Sequence, residues 1–325
     1  MQPGTLRDWP PCLPVQRDGG RQSGPGANPF ISALTVARCS STHKPDSMET
    51  GRRLRSCRCI PIITHKRERK EADHLEKKKL GITSFGLHVF AMVFMLLDHL
   101  WATLLTDQHW MTNVGRLAFP IFAFLIAEGY FRTRNVKKYM GRLFAFALIS
   151  EIPFNLMTGG GWLYPYHQNV LWTFLIAIVC MIGIDKAKAG GRNIAVKIIW
   201  ILLIVFGGWL TGTIAFVDYY GVGVLTVLTF YAFHGKRWWD YFAQIIILYY
   251  INVELLGGLY FEVNIFGVTL EIVQQGLALL ALPIIWLYNG ERGYHKKWWQ
   301  YFCYAFYPLH MLVLYLVFLL YVMLH

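Results

Sequence analysis

Asp98 and His99 stand side by side in a run, Ser84 to Leu105, that is otherwise almost wholly apolar. Arg116, Glu128, Glu151, Asn155, Asp218, Gln274, Gln275 and His310 interrupt later apolar runs in the same isolated way. A charged side chain in hydrocarbon costs about 3 kcal/mol or more unless it is paired, so each is a candidate for function. An imidazole with a carboxylate nearby is what general-base chemistry requires. Neighbouring residues on a helix point ~100° apart, so Asp98 need not serve His99 itself. Arg116 and Glu151 also suit a purely structural ion pair between two helices.

Polytopic helices must position these groups. The chain of 325 residues is 55% hydrophobic and 16% aromatic, with a mean hydropathy of +0.38, which excludes an ordinary soluble domain. From Ser84 onward, apolar runs at 84–105, 113–131, 139–157, 169–184, 195–210, 217–234, 241–257, 271–288 and 300–323 predict an all-α membrane fold of nine spans, the fifth of them short. The basic residues alternate between the connections. Lys77, Lys78 and Lys79 precede the first span, and Arg132, Arg134, Lys137, Lys138 and Arg142 follow the second. Lys186, Lys188, Arg192 and Lys197 follow the fourth, Lys236 and Arg237 the sixth, and Arg292, Lys296 and Lys297 the eighth. The other connections carry none, which predicts a cytoplasmic N-terminus, His325 outside and a location in the inner membrane.

Counted along helices at ~1.5 Å per residue, Asp98 and His99 lie roughly 10 Å, Arg116 roughly 6 Å and Glu151 roughly 9 Å below the outer surface. With Asp218, Gln168 and Asn169 near the same side, they predict a polar cavity open outward. Glu128, Arg132, Arg134 and Arg142 form a second group at the inner surface, next to Tyr288-Asn289-Gly290, and His310 falls near mid-membrane. The arginines equally suit contacts to lipid headgroups. His88 reads as a residue of the first span's inner half, and Trp238-Trp239 and Trp298-Trp299 as interfacial belts.

Residues 1–80 differ from the rest. They hold eight of the thirteen prolines and 16 Lys/Arg against 8 Asp/Glu, with no helical or strand period. This segment is expected to be a disordered or non-native extension, with residues 82–325 as the membrane domain. Lys70-Glu71-Ala72 can be encoded as an in-frame ribosome-binding site, with Leu75 as a TTG start codon and Met48 as the alternative start. Cys57-x-Cys59 has no second pair at ligand spacing, so no metal is expected. The basic residues elsewhere fall in short clusters between apolar runs, so nucleic acid is not expected either.

Residues 116–156, RLAFPIFAFLIAEGYFRTRNVKKYMGRLFAFALISEIPFNL, resemble the TraX family of membrane proteins. MLLDH (95–99), QNVLWTF (168–174), DYYGVGVL (218–225), LYNGERG (287–293) and FYPLH (306–310) agree, so the resemblance covers residues 84–323. The family's founding member is associated with N-acetylation of the pilin amino terminus, and the family more distantly resembles the acyltransferase family 3 enzymes. The resemblance implies a membrane acyltransferase with acetyl-CoA as donor and an amine or hydroxyl acceptor, protein or glycan, at the outer face. Arg132, Arg134, Arg142 and Asn289 would then hold the phosphates of acetyl-CoA. His99 would be the base, with His310 as the alternative and Asp98 raising the basicity of one histidine. Arg116 or Asn169 would stabilise the oxyanion, and Glu151, Asn155 and Asp218 would complete the acceptor layer.

A transporter or flippase of a polar or lipid-linked solute also uses intramembrane carboxylates. Many transporters are built from repeats, and the motif-bearing spans one to three have no counterpart in spans six to nine. An odd number of spans also argues against two equal halves.

Overall fold

The computed structural model describes residues 80–324, apart from residues 160, 266, 267 and 295. The expectations placed on residues 1–79 and on His325 lie outside the described residues. The chain runs through α1 (Ser84–Thr103), α2 (His109–Gly115), α3 (Ala118–Arg132), α4 (Val136–Gly159), α5 (Val170–Ala189), α6 (Ile194–Ile214), α7 (Tyr220–Ala232) and α8 (Trp238–Tyr249). A π-helical turn (Tyr250–Leu256), strands β1 (Tyr260–Ile265) and β2 (Val268–Val273), a 3-10 turn (Gln274–Leu280), α9 (Ala281–Trp286) and α10 (Lys297–Leu324) follow.

Side chains start several of these helices by satisfying backbone N–H groups that have no partner within the helix. The Thr83 hydroxyl accepts from Gly86 N at the start of α1, Asn169 from Leu171 N at the start of α5, and Asn193 from Val196 N at the start of α6. Proline explains the break between α2 and α3. Pro120 has no N–H for the Arg116 carbonyl and its ring crowds that turn, so the helix steps at Arg116-Leu117. Pro153 lies inside α4 and Pro308 inside α10.

Six stretches are long and apolar enough to cross a membrane: Ser84–Thr103, His109–Arg132 across the break, Val136–Gly159, Val170–Ala189, Ile194–Ile214 and Lys297–Leu324. The chain is therefore a mostly helical, multi-pass membrane protein. The expected fifth span is a full helix of 21 residues rather than a short one. The segments expected as spans six to eight are shorter than a bilayer needs as single α-helices. α7 has 13 residues, α8 has 12 before it loosens into the π-helical turn, and the eighth segment is a 3-10 turn leading into the six residues of α9. Residues 271–273, expected to open that eighth span, belong to β2. Tyr260–Ile265 pairs antiparallel with Val268–Val273, Tyr260 opposite Val273 and Glu262 opposite Glu271. Alternating β-branched and polar residues in NIFGVTLEIV carry a period of two, which favours a hairpin over a helix.

The core lies between α1, α3, α5, α7 and α9, where Leu87, Ile121, Ile178, Met181, Val224, Phe230 and Leu282 are almost fully buried. α6 packs on α5 and α7 but turns Ile198, Ile199, Leu202, Leu203, Phe206 and Ile214 outward, the apolar shell that a bilayer covers. α6 and α7 touch at backbone distance: a Cβ on Gly221 would lie 2.1 Å from the Trp209 carbonyl oxygen, the close approach that small residues allow between membrane helices.

Candidate functional site

The described connections divide the molecule into a basic end and an opposite end, and each end holds a polar cluster. At the opposite end, the Asp98 carboxylate pairs with Arg116 and accepts from the Thr112 hydroxyl at 2.7 Å. Thr112 in turn accepts from Arg116 Nη2 at 2.9 Å, and Arg116 Nη1 donates to Gln275 Oε1 at 3.3 Å. The step after α2 aims Arg116 back at α1. Gly115 lets α1 come in, because a Cβ there would lie 2.4 Å from the Asp98 Cβ. Gln274 Nε2 donates to Asn113 Oδ1 at 2.7 Å, so the residues after β2 close over this pair.

The expected Arg116–Glu151 pair does not form. Glu151 accepts from Trp172 Nε1 at 3.0 Å and from the Asn169 amide. Asn169 also donates to the Ala147 carbonyl and caps α5 through its oxygen, so its hydrogen-bonding capacity is spent within the protein and does not suit it to an oxyanion. The second Glu151 oxygen, both amide atoms of Asn155 and the Ser150 hydroxyl are buried with no partner among the described residues. Asp98 contacts no histidine. His99 Nδ1 instead lies 2.7 Å from His310 Nε2, and His310 Nδ1 lies 2.7 Å from the Phe306 carbonyl. The two histidines proposed as alternative bases are thus one pair, brought together from α1 and α10.

Asp218 follows α6 in a loop where Phe216, Tyr219 and Tyr220 all adopt positive φ, at 51°, 60° and 48°. Bulky side chains resist that region, and such residues cluster at sites where geometry is imposed. The loop is held by Gln168 N donating to the Phe216 carbonyl and Asp218 N donating to the Gln168 carbonyl, at 2.8 and 2.9 Å. It sets the Asp218 carboxylate 3.5 Å from His167 Nε2, which raises the His167 pKa above the ordinary histidine value by stabilising its charged form.

At the basic end a cavity of about 380 Å³ opens between α1, α3, α4, α5 and α10. Arg132, Arg142 and Arg292 stand at its mouth, and Met92, Met95, Phe122, Leu171 and Tyr307 line its depth. Arg132 is aimed by Glu128 and by the Gly290 carbonyl. Glu128 also accepts from His234 at 2.6 Å and from the Tyr288 hydroxyl at 2.8 Å. Two residues expected here stand elsewhere. Arg134 is exposed outside the cavity, since the turn after α3 carries it away. Asn289 accepts from Glu291 N and donates to the Gly81 carbonyl, tying the segment before α1 to the segment after α9.

Sequence reasoning missed Arg292, Gln300 and His88 as cavity residues. His88, Met92, Met95 and His99 follow the spacing i, i+4, i+7, i+11, which places them on one face of α1. That period could have flagged His88. The cavity reaches Met95 and Tyr307, and His99 and His310 stand about one helical turn beyond them. Among the described residues no group of three or more His, Cys, Asp or Glu could hold a metal ion.

The profile of the family described as TraX protein matches residues 86–318. A probable fimbrial assembly protein FimC, serogroup H1, of Dichelobacter nodosus is 28% identical over 255 residues, covering 73% of this chain and 96% of that protein. Protein TraX of Escherichia coli strain K12 is 31% identical over 139 residues, and a second Escherichia coli TraX is 30% identical over the same length. These two alignments span 42% of this chain and half of each TraX protein. No solved structure matches. Since the matched stretch takes in both polar clusters and the cavity between them, the chain belongs to the TraX protein family.

Proposed function

We propose that this protein is an integral-membrane acyltransferase that moves an acetyl group from acetyl-CoA, held at the basic end, to an amine or hydroxyl of an acceptor at the opposite end. The observation that carries this reading is the cavity itself. It has three arginines at its mouth, an apolar bore paved by Met92 and Met95, and a histidine pair one helical turn past its floor. Guanidinium groups suit the phosphates of a nucleotide, and an apolar bore suits the uncharged arm that carries the thioester. In this reading Arg132, Arg142 and Arg292 bind the donor, and the histidine pair takes the acceptor's proton as its nitrogen or oxygen attacks the thioester carbonyl. The C–S bond then breaks and the thiolate recovers the proton. Arg116, with one Nη1 proton uncommitted, stands closer to the histidines than any other cation named here and is the candidate for the oxyanion.

The topology belongs to the same proposal. Positive residues at the described basic end support a cytoplasmic location for it, in the inner membrane of a bacterium, with nine crossings if α7, α8 with its π turn, and the segment of α9 cross as shortened or irregular helices. The FimC relative's printed description supports an acceptor among surface-appendage subunits.

The test is acetyl-CoA turnover by the detergent-purified chain, followed as free CoA release with and without cell-envelope acceptors. Acceptor-stimulated release that disappears in His99→Ala is the expected result. A folded preparation that neither binds nor turns over acetyl-CoA would sink the proposal in favour of transport of a polar or lipid-linked solute.

A further inference from the structure

We infer that His99 supplies the basic nitrogen, Nε2, and that His310 is its positioning residue, holding that tautomer through a one-way hydrogen-bond chain that ends on the Phe306 carbonyl. The inference rests on the acyltransferase proposal for its chemistry and on geometry alone for its direction.

The direction follows from what each atom can do. A carbonyl oxygen only accepts, so the 2.7 Å contact to Phe306 requires a proton on His310 Nδ1. In a neutral imidazole the other nitrogen then carries a lone pair, so His310 Nε2 accepts. The 2.7 Å contact between His310 Nε2 and His99 Nδ1 therefore requires the proton to lie on His99 Nδ1. His99 Nε2 is left with its lone pair and makes no hydrogen bond to a described residue. The ring geometry agrees. The centroids are 4.9 Å apart and the planes 4° apart, and with a nitrogen–nitrogen contact this short the rings lie edge to edge in nearly one plane, where an imidazole lone pair points. Face-to-face stacking would keep the two nitrogens farther apart.

The arrangement gives His99 what a carboxylate gives a catalytic histidine elsewhere, a fixed tautomer and an acceptor for Nδ1–H when the ring becomes charged. Asp98 is unavailable for that task because Arg116 and Thr112 occupy it. When His99 Nε2 takes the acceptor's proton, the imidazolium keeps its Nδ1–H on His310 Nε2. The proton at Nε2 then passes to the departing thiolate, which restores the starting tautomer.

Two measurements test this. In the full-length protein labelled with nitrogen-15 histidine, side-chain NMR should find both rings neutral, with the proton on Nδ1 and a bare Nε2 in His99. His310 lacking a proton on Nδ1, or His99 protonated on Nε2 instead, overturns the inference whatever the protein's activity. In turnover, His310→Phe should lower kcat about 100-fold and displace the pH profile of kcat/KM. His310→Gln, whose amide oxygen can accept from His99, should recover part of the loss. An unshifted profile in His310→Phe would reduce His310 to packing. A loss in His310→Ala with His99→Ala still active would make His310 the base. Both results overturn the assignment. If the wild-type protein turns over no acetyl-CoA, the acyltransferase proposal fails, and the NMR tautomers still decide the chain's direction.

Discussion

Asp98 and Arg116 are the charges most exposed to the cost of a bilayer, and each satisfies the other. Their side chains are 21% and 20% accessible, enough for some screening, so the pair's worth falls below that of a fully enclosed one. Asp98→Asn leaves Arg116 short of its carboxylate, and Arg116→Ala leaves Asp98 alone with Thr112. Each single variant should lower the melting temperature of the purified protein, and the double variant should lose less than the sum, by about 1–3 kcal/mol of coupling. Additive losses in that cycle would dissolve the pair, and a coupling of Arg116 to Glu151 instead would restore the partner that sequence alone suggested. His167 and Asp218 give a pH-dependent contribution of opposite character. The raised pKa of His167 means that the bond stabilises the fold fully below the ordinary histidine value. It is lost as pH rises through the raised value. A thermal-stability profile should therefore fall across that window in the wild type and stay flatter in His167→Gln.

These residues also mark how far the sequence could be read. Charged groups in apolar runs were visible because hydrocarbon makes them costly wherever they point, and the layer of Asp98, His99, Arg116 and Glu151 follows from counting along helices. Partnership was not visible, because it depends on how each helix turns about its axis. His99 and His310 are separated by 211 positions, and no spacing rule joins them. Arg292 was legible only as a topology charge, since nothing in LYNGERG says that its side chain folds back over the mouth of a cavity.

At the scale of elements, the step at Pro120 and the bare face of Gly115 act together. The step swings Arg116 toward α1, and the missing Cβ lets Asp98 meet it. Gly115→Ala sets a methyl 2.4 Å from the Asp98 Cβ, a clash that no rotamer of the alanine relieves. The expected cost is about 1–3 kcal/mol, read as a lower melting temperature with greater loss in Gly115→Val. An unchanged stability would mean that α1 and α2 do not approach as described. The helical stretches of 18 residues or more were legible from length and hydropathy. The irregular ones were not, because a π-helical turn, a 3-10 turn and a short hairpin share the composition of a span while differing in hydrogen-bond register. The run from Tyr260 to Val273 carried its strand period openly, within a stretch whose hydrophobicity hid it.

At the scale of the whole molecule, the arginines stand at one end and the histidine pair deeper in the membrane, past an apolar bore. Under the proposed function, Arg142→Ala with Arg292→Ala should raise the KM for acetyl-CoA about 10-fold, the loss of one or two charge-assisted contacts, with kcat little changed. A fall in kcat at constant KM would place the two arginines in the chemistry rather than in binding. The separation has a consequence for desolvation. A carrier moving an intact nucleotide donor across the bilayer would have to strip water from several phosphate charges, at a cost of several kcal/mol for each. With the guanidinium groups at the rim, the polyanion keeps its hydration and only a neutral two-carbon unit passes through the hydrocarbon. The dielectric barrier that makes membranes impermeable to nucleotides is thereby sidestepped rather than climbed.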